Sequence, residues 1–218
     1  MKIYKISTEN HGKYAYATGY HAFQDMEFLE SVGEYRRKMM EESWRIFPRE
    51  AGLHIEDPAT CWADVMFCGN PPPFFFCSRK VVNSLESHNI PLRRSTLIPI
   101  GCIKSKKLRE IPPPEYFVLE ALPGIQVDYA SSGYVVAPDG LPDPNAPRIT
   151  PSPIPQYDPA TWTGADLFCQ SNSQHGPRYL DLLCTERIKE IALQDGWTNV
   201  AFQRLRVKGI NPFTGRPE

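Results

Sequence analysis

No apolar stretch in the 218 residues approaches the length of a membrane span, and the opening "MKIYKISTENHGKYAYATGY" lacks the apolar centre of a secretion signal. An excess of one charge is lacking too. The 24 basic residues face 25 acidic ones, which excludes a global field for nucleic acid, an anionic membrane or a polycationic partner. Close thiol spacing is missing as well. The gaps from Cys61 to Cys68 and on to Cys77 are longer than the short pair that places two thiolates on one tetrahedral ion. His54 and His88 add no paired histidines, so neither a metal nor a cofactor is expected. Phosphate-loop, dinucleotide, hydrolase-elbow and zinc-protease motifs are absent, and nothing in the sequence asks for an enzyme. Without export, the six cysteines are expected as reduced thiols in a cytoplasmic protein.

What the chain has in quantity is proline, 22 residues, about twice the usual share, and proline clusters punctuate it. "MKIYKI" reads as a short strand. From Ala22 to Phe47 the period changes: Met26, Leu29, Val32, Tyr35 and Met39 fall on one face, and Pro48 closes an amphipathic helix. Its run Arg36-Arg37-Lys38, balanced by Glu34, Glu41 and Glu42, reads as a solvated face. "EYFVLEALPGIQVDYASSGYVVA" offers two β-rich runs with a turn at Pro123-Gly124. Residues 138–159 hold eight prolines and read as an exposed irregular loop.

Two stretches resemble each other. "ADVMFCGNPPPFFFCSRKVVNSLESHNI" begins at Ala63, and "ADLFCQSNSQHGPRYLDLLCTERIKEIALQDGW" begins at Ala165. A shift of 107 residues places Cys77 on Cys184, Ser78 on Thr185, Lys80 on Arg187, Val81 on Ile188 and Asn89 on Gly196. Ser78 and Thr185 are helix N-cap types. Asn89 and Gly196 tolerate the left-handed conformation that ends a helix, and Ile90 and Trp197 follow as apolar residues folding back near Leu85 and Ala192. Further strands are expected in "STLIPI" and "NVAFQRL". The fold expected is therefore α+β: two similar strand–helix–strand units, about 64–100 and 166–205, with the N-terminal helix, packed as one domain over 1–218.

Cys77 or Cys184, at a helix start and with His175 as base, would make a nucleophile, but both follow apolar runs and read more simply as buried small hydrophobes. The loops that differ between the units, "GNPPP" and "SNSQHGP", are the expected binding surfaces, with Asn70, Pro72, Asn172, Gln174 and His175 as partner contacts. Proline stiffens the first loop and lowers its ordering cost. A third possibility is an adaptor that presents the proline-rich loop to a polyproline-binding module.

Taken together, "KIYKI", "CWADVMF", "SRKVVNSLESHNI", "PPPEYFVLEALPGIQVD" and "TGADLF…CTERIKEIALQDGWTNVAFQRL" resemble bacterial immunity proteins of the double-CXXCG group, associated with swarming-inhibition toxins, and a related immunity family. The resemblance covers most of the chain from about Trp62 onward, but the paired Cys-x-x-Cys-Gly motifs are missing, so no zinc site is carried over. It implies a cytoplasmic binding protein that neutralises a cognate protein toxin by direct contact, without nucleic acid or membrane as partner.

Overall fold

The computed structural model describes residues 2–9, 12–21, 52–68, 74–143, 145–147, 149–151, 153–172 and 182–209. The helix expected over 22–47 lies outside them. In chain order the strands are β1 (Ile3–Ser7), β2 (Ala17–His21), β3 (Gly52–Ile55), β4 (Val65–Cys68), β5 (Phe74–Ser78), β6 (Arg94–Ile98) and β7 (Ile100–Ile103). There follow β8 (Tyr116–Glu120), β9 (Leu122–Val127), β10 (Gln156–Asp158), β11 (Leu167–Gln170), β12 (Leu183–Thr185), β13 (Ala201–Arg204) and β14 (Arg206–Val207). Helix α1 spans Arg79–Ser87 and α2 spans Glu186–Gln194, each one a nine-residue link after a strand.

These strands form two seven-stranded sheets, ordered β6-β8-β5-β4-β2-β3-β7 and β13-β1-β12-β11-β9-β10-β14. Read along either order, the pairings run antiparallel three times, then parallel, antiparallel and parallel. One sheet topology is thus built twice. Each half of the chain also lends its first strand to the other: β1 completes the second sheet, and β8 completes the first.

This corrects the expected α+β class with strand–helix–strand units. The fold is strand-rich, and what recurs is a whole sheet in which the helix is a single connector. Local pattern revealed the helix and its flanks but not the distant strands that pair with them, because pairing leaves no local periodicity. The turn expected at Pro123-Gly124 is also corrected. Both residues lie inside β9, and only Ala121 separates it from β8. Glycine is needed there for clearance, since a Cβ on Gly124 would stand 2.3 Å from the Cβ of Phe168.

Strand periodicity sorts the core into three clusters. Val65, Cys77, Phe117, Leu119, Leu167 and Cys184 face a central core shared with Val81, Leu85, Ile188 and Ile191 of the helices. Their alternates face two separate interiors. Met66, Phe76, Tyr116 and Val118 fill the first, and Ile3, Phe168, Leu183 and Val207 line the second. Burial on both faces explains unbroken apolar runs such as "YFVL" at Tyr116–Leu119.

The helix starts repeat in detail. Ser78 and Thr185 stand at the N-cap positions, yet neither side chain caps its helix. Ser78 Oγ donates instead to Asp64 Oδ1 at 2.8 Å, and Thr185 Oγ1 to Asp166 Oδ1 at 2.6 Å. Lys80 and Arg187 hold the second oxygens of those carboxylates at 3.1 and 2.7 Å. The same two cations then cross to the other unit. Lys80 Nζ donates to the Gly196 carbonyl at 2.6 Å, and Arg187 Nη2 to the His88 carbonyl at 2.9 Å. Each helix end thereby receives a cation from the opposite unit, where unpaired carbonyls and the helix dipole favour one. Asn89 and Gly196 end the helices at φ 55 and 61°. The amides of Ile90 and Trp197 return to the carbonyls of Leu85 and Ala192.

Candidate functional site

The two sheet interiors are topological equivalents, but their described residues differ. In the first, Val118 lies in register between Phe76 and Thr96, and it is buried. Leu108, on a single 3-10 turn at Leu108–Glu110, is fully buried in the same cluster. In the second sheet the place of Val118 belongs to Lys5, in register between Leu183 and Gln203. Two residues beyond Phe168, on the same strand face, comes Gln170, a polar side chain only 7% exposed. Two interior positions have become polar, and a cavity of about 540 Å³ opens beside them.

Its wall is made by the connection from β9 to β10, which contains most of the proline-rich loop. Asp128 anchors that connection: its carboxylate accepts from the Ser131 backbone and hydroxyl at 2.9 and 2.8 Å and from Lys208 at 2.5 Å. These bonds hold the Asp128 carboxyl down at about 2, with Lys208 the leading cause and the Ser131 donors next. Tyr134 Oη donates to the Pro153 carbonyl at 2.9 Å, and the Gln156 amide to Ser132 Oγ at 2.8 Å. Tyr129 and Tyr134 meet edge to face at 5.4 Å. In its described residues up to Pro155 the loop expected to be irregular has no strand or helix of its own, and the chain then enters the sheet as β10 and turns at Pro159–Thr161. It is folded onto the cavity, where Pro142, Ile154 and Pro155 join Tyr134 in the lining.

At the mouth stand Gln203, Arg204, Leu205 and Arg206, positioned by the Leu205 amide bonding the Ile3 carbonyl at 2.9 Å. The lining thus includes three cations, Lys5, Arg204 and Arg206, and no carboxylate. Among the described residues no salt bridge engages Arg204 or Arg206. At the base, Gln170 Nε2 donates to Tyr129 Oη at 2.6 Å. The lining contains no cysteine, histidine, serine or threonine.

Of the expected partner contacts, Asn70, Pro72, Gln174 and His175 lie outside the described residues. Asn172 is described, and its amide serves the scaffold. Its Oδ1 accepts from the Val127 amide at 2.9 Å and its Nδ2 donates to the Val127 carbonyl at 2.8 Å, so past the end of β11 its side chain pairs with β9 as a strand residue would. The thiols are buried as read. Burial, aided by the Asp64 charge, pushes Cys77 up to about 12, and burial followed by Asp166 raises Cys184 as well. Neither thiol forms a ready thiolate near neutrality. Cys61, Cys77, Cys102, Cys169 and Cys184 are unbridged, and the described residues contain no cluster with metal-ligand geometry.

Lys5, Gln170, Arg204 and Arg206 were not singled out from the sequence. One signal was present: in "IYKIS" alternation puts Lys5 on the face of Ile3, a charge on a core-facing side. The arginines gave none, because only pairing brings residue 204 beside residue 4. No family model matches the chain, and no curated protein matches it either. Among the described residues no helix is long and apolar enough to cross a membrane.

Proposed function

We propose that the protein is a cytoplasmic, immunity-type binding protein that neutralises a cognate bacterial toxin by direct contact. The observation that carries a binding role is the contrast between the interiors. Where the first interior carries the buried Val118 the second carries Lys5, and a recess lined by cations, tyrosines and glutamine opens beside it. The buried, proton-holding thiols weigh against cysteine catalysis. The proline-rich segment is tied to its own scaffold through Tyr134 and Gln156, which favours it as a wall over a freely presented adaptor motif. The neutralising role rests on the resemblance of the chain to immunity proteins.

The test is to co-express this chain with the product of the toxin gene adjoining its own gene. The expected outcome is a stable complex on gel filtration and survival of cells that otherwise die. Cell death at the same toxin dose, with no complex at micromolar concentration, would sink the reading.

A further inference from the structure

From the amide of Gln170 we infer that the cavity beside β11 binds a planar aromatic compound carrying an N–H donor, such as indole. Such binding is separate from toxin neutralisation, and either can hold without the other. Gln170 is buried and lines the cavity. Its amide cannot turn over. Asn172 Oδ1 accepts from the Val127 amide at 2.9 Å, which fixes that atom as the oxygen. Gln170 Nε2 then faces three acceptors: that oxygen and the Asn172 carbonyl, both at 3.3 Å, and Tyr129 Oη at 2.6 Å. Turned the other way, Gln170 would set its carbonyl against two further oxygens. Nε2 is therefore spent on the scaffold, and Oε1 remains. Among the described residues no hydrogen bond reaches Oε1. A buried carbonyl without a partner is costly, so a ligand that donates to it supplies what the protein alone lacks.

The surroundings of that amide suit a flat ring. About 540 Å³ falls inside the range of small-ligand pockets. Tyr129 and Tyr134 meet edge to face at 5.4 Å and form an aromatic corner, while Pro142, Ile154 and Pro155 add apolar surface. The corner is held without any ligand. Tyr134 Oη bonds the Pro153 carbonyl at 2.9 Å, and Tyr129 Oη receives Gln170. A corner already fixed in this way loses little entropy when it receives a rigid planar molecule. No carboxylate lines the cavity, so no stronger acceptor draws the donor away from Gln170.

Calorimetric titration of the full chain with indole and with benzofuran tests the site. Benzofuran has the same shape, with an oxygen in place of the N–H. The expected result is saturable binding of indole at one site, at least about tenfold tighter than benzofuran. Gln170→Met keeps the side-chain length, removes the carbonyl and should bring indole down to the benzofuran value. Ile154→Trp, at a half-exposed position of the loop wall, places a ring of the chain's own at the recess and should abolish binding of both. Leu193→Trp, exposed on α2 and outside the cavity, should change neither. If Gln170→Met lowers the melting temperature, the benzofuran comparison and the Ile154 variant still decide. No saturable binding of indole, equal affinity for the two compounds, a preference that survives in folded Gln170→Met, or undiminished binding in Ile154→Trp would overturn the proposal. So would tighter binding of a peptide with an internal tryptophan than of indole itself, which would assign the recess to a side chain of a protein partner.

Discussion

Asp64 accepts hydrogen bonds from Ser78, Lys80 and both the amide and hydroxyl of Thr198, joining two regions far apart in sequence. Burial works against its ionisation, but these donors together outweigh it and hold its carboxyl below the usual range. Asp64→Ala leaves them unsatisfied and should cost about 2–4 kcal/mol in urea unfolding. Asp64→Asn should cost less, because one acceptor oxygen survives. Asp128 gives a pH signature. Its folded value of about 2 lies below the ordinary 3.8, so its contribution is fully present above about pH 4 and fades as pH falls toward 2. In that window the unfolded chain takes up a proton that the folded one does not. Melting temperatures measured from pH 5 to pH 2 should fall less steeply for Asp128→Asn than for wild type, and equal slopes would refute this. Thiol titration should label exposed Cys61 in the native protein and reach Cys77 and Cys184 only on unfolding.

Whole elements turn on close approach as much as on propensity. β9 carries proline and glycine, residues that argue against a strand, yet it is paired on both sides, with β10 and β11. The glycine makes room for Phe168, and side-chain packing outweighs propensity. Gly124→Ala should destabilise by about 1–3 kcal/mol, read from the denaturant midpoint. Phe168→Leu in the same chain should recover part of that loss if the clash is with the ring, and no recovery would place the strain in the backbone. Both helices are short, about the length at which a helix alone is unstable in water. Their persistence comes from the central core and from the cation each end receives from the other unit.

For the molecule as a whole, the exchange of first strands is the defining feature. The crossing strands carry reversed charges at equivalent places: Glu115 pairs with Arg79 at 2.9 Å, whereas Lys2 pairs with Glu186 at 2.6 Å. Were each strand to return to the sheet of its own half, Lys2 would face Arg79 and Glu115 would face Glu186. Exposed pairs of this kind contribute little on their own, so they bias the exchange while apolar register enforces it. Residues 1–110 and 111–218, expressed separately, should each lack a cooperative unfolding transition and should regain one when mixed in equal amounts. A half that unfolds cooperatively as a monomer would rule out mutual completion. Lys2→Glu in the first half should increase its pairing with itself, detectable by gel filtration.

The sequence by itself determined where helices begin and end and which residues recur. Ser78, Asn89, Thr185 and Gly196 act within a few residues of themselves, and the backbone angles at Asn89 and Gly196 follow from residue type. It also carried the burial of Cys77 and Cys184, because apolar runs precede both. Tertiary structure alone decided that the hydroxyls of Ser78 and Thr185 serve aspartates instead of capping, since Asp64 and Asp166 arrive on neighbouring strands. It decided which sheet receives β1, a pairing between residues about 180 apart that leaves no local trace. And it decided that Lys5, a single charge in a plain strand, lines an open interior with arginines from the far end of the chain. Local conformational preference is written residue by residue, whereas strand partnership is a property of complementary surfaces that exist only after the chain has folded.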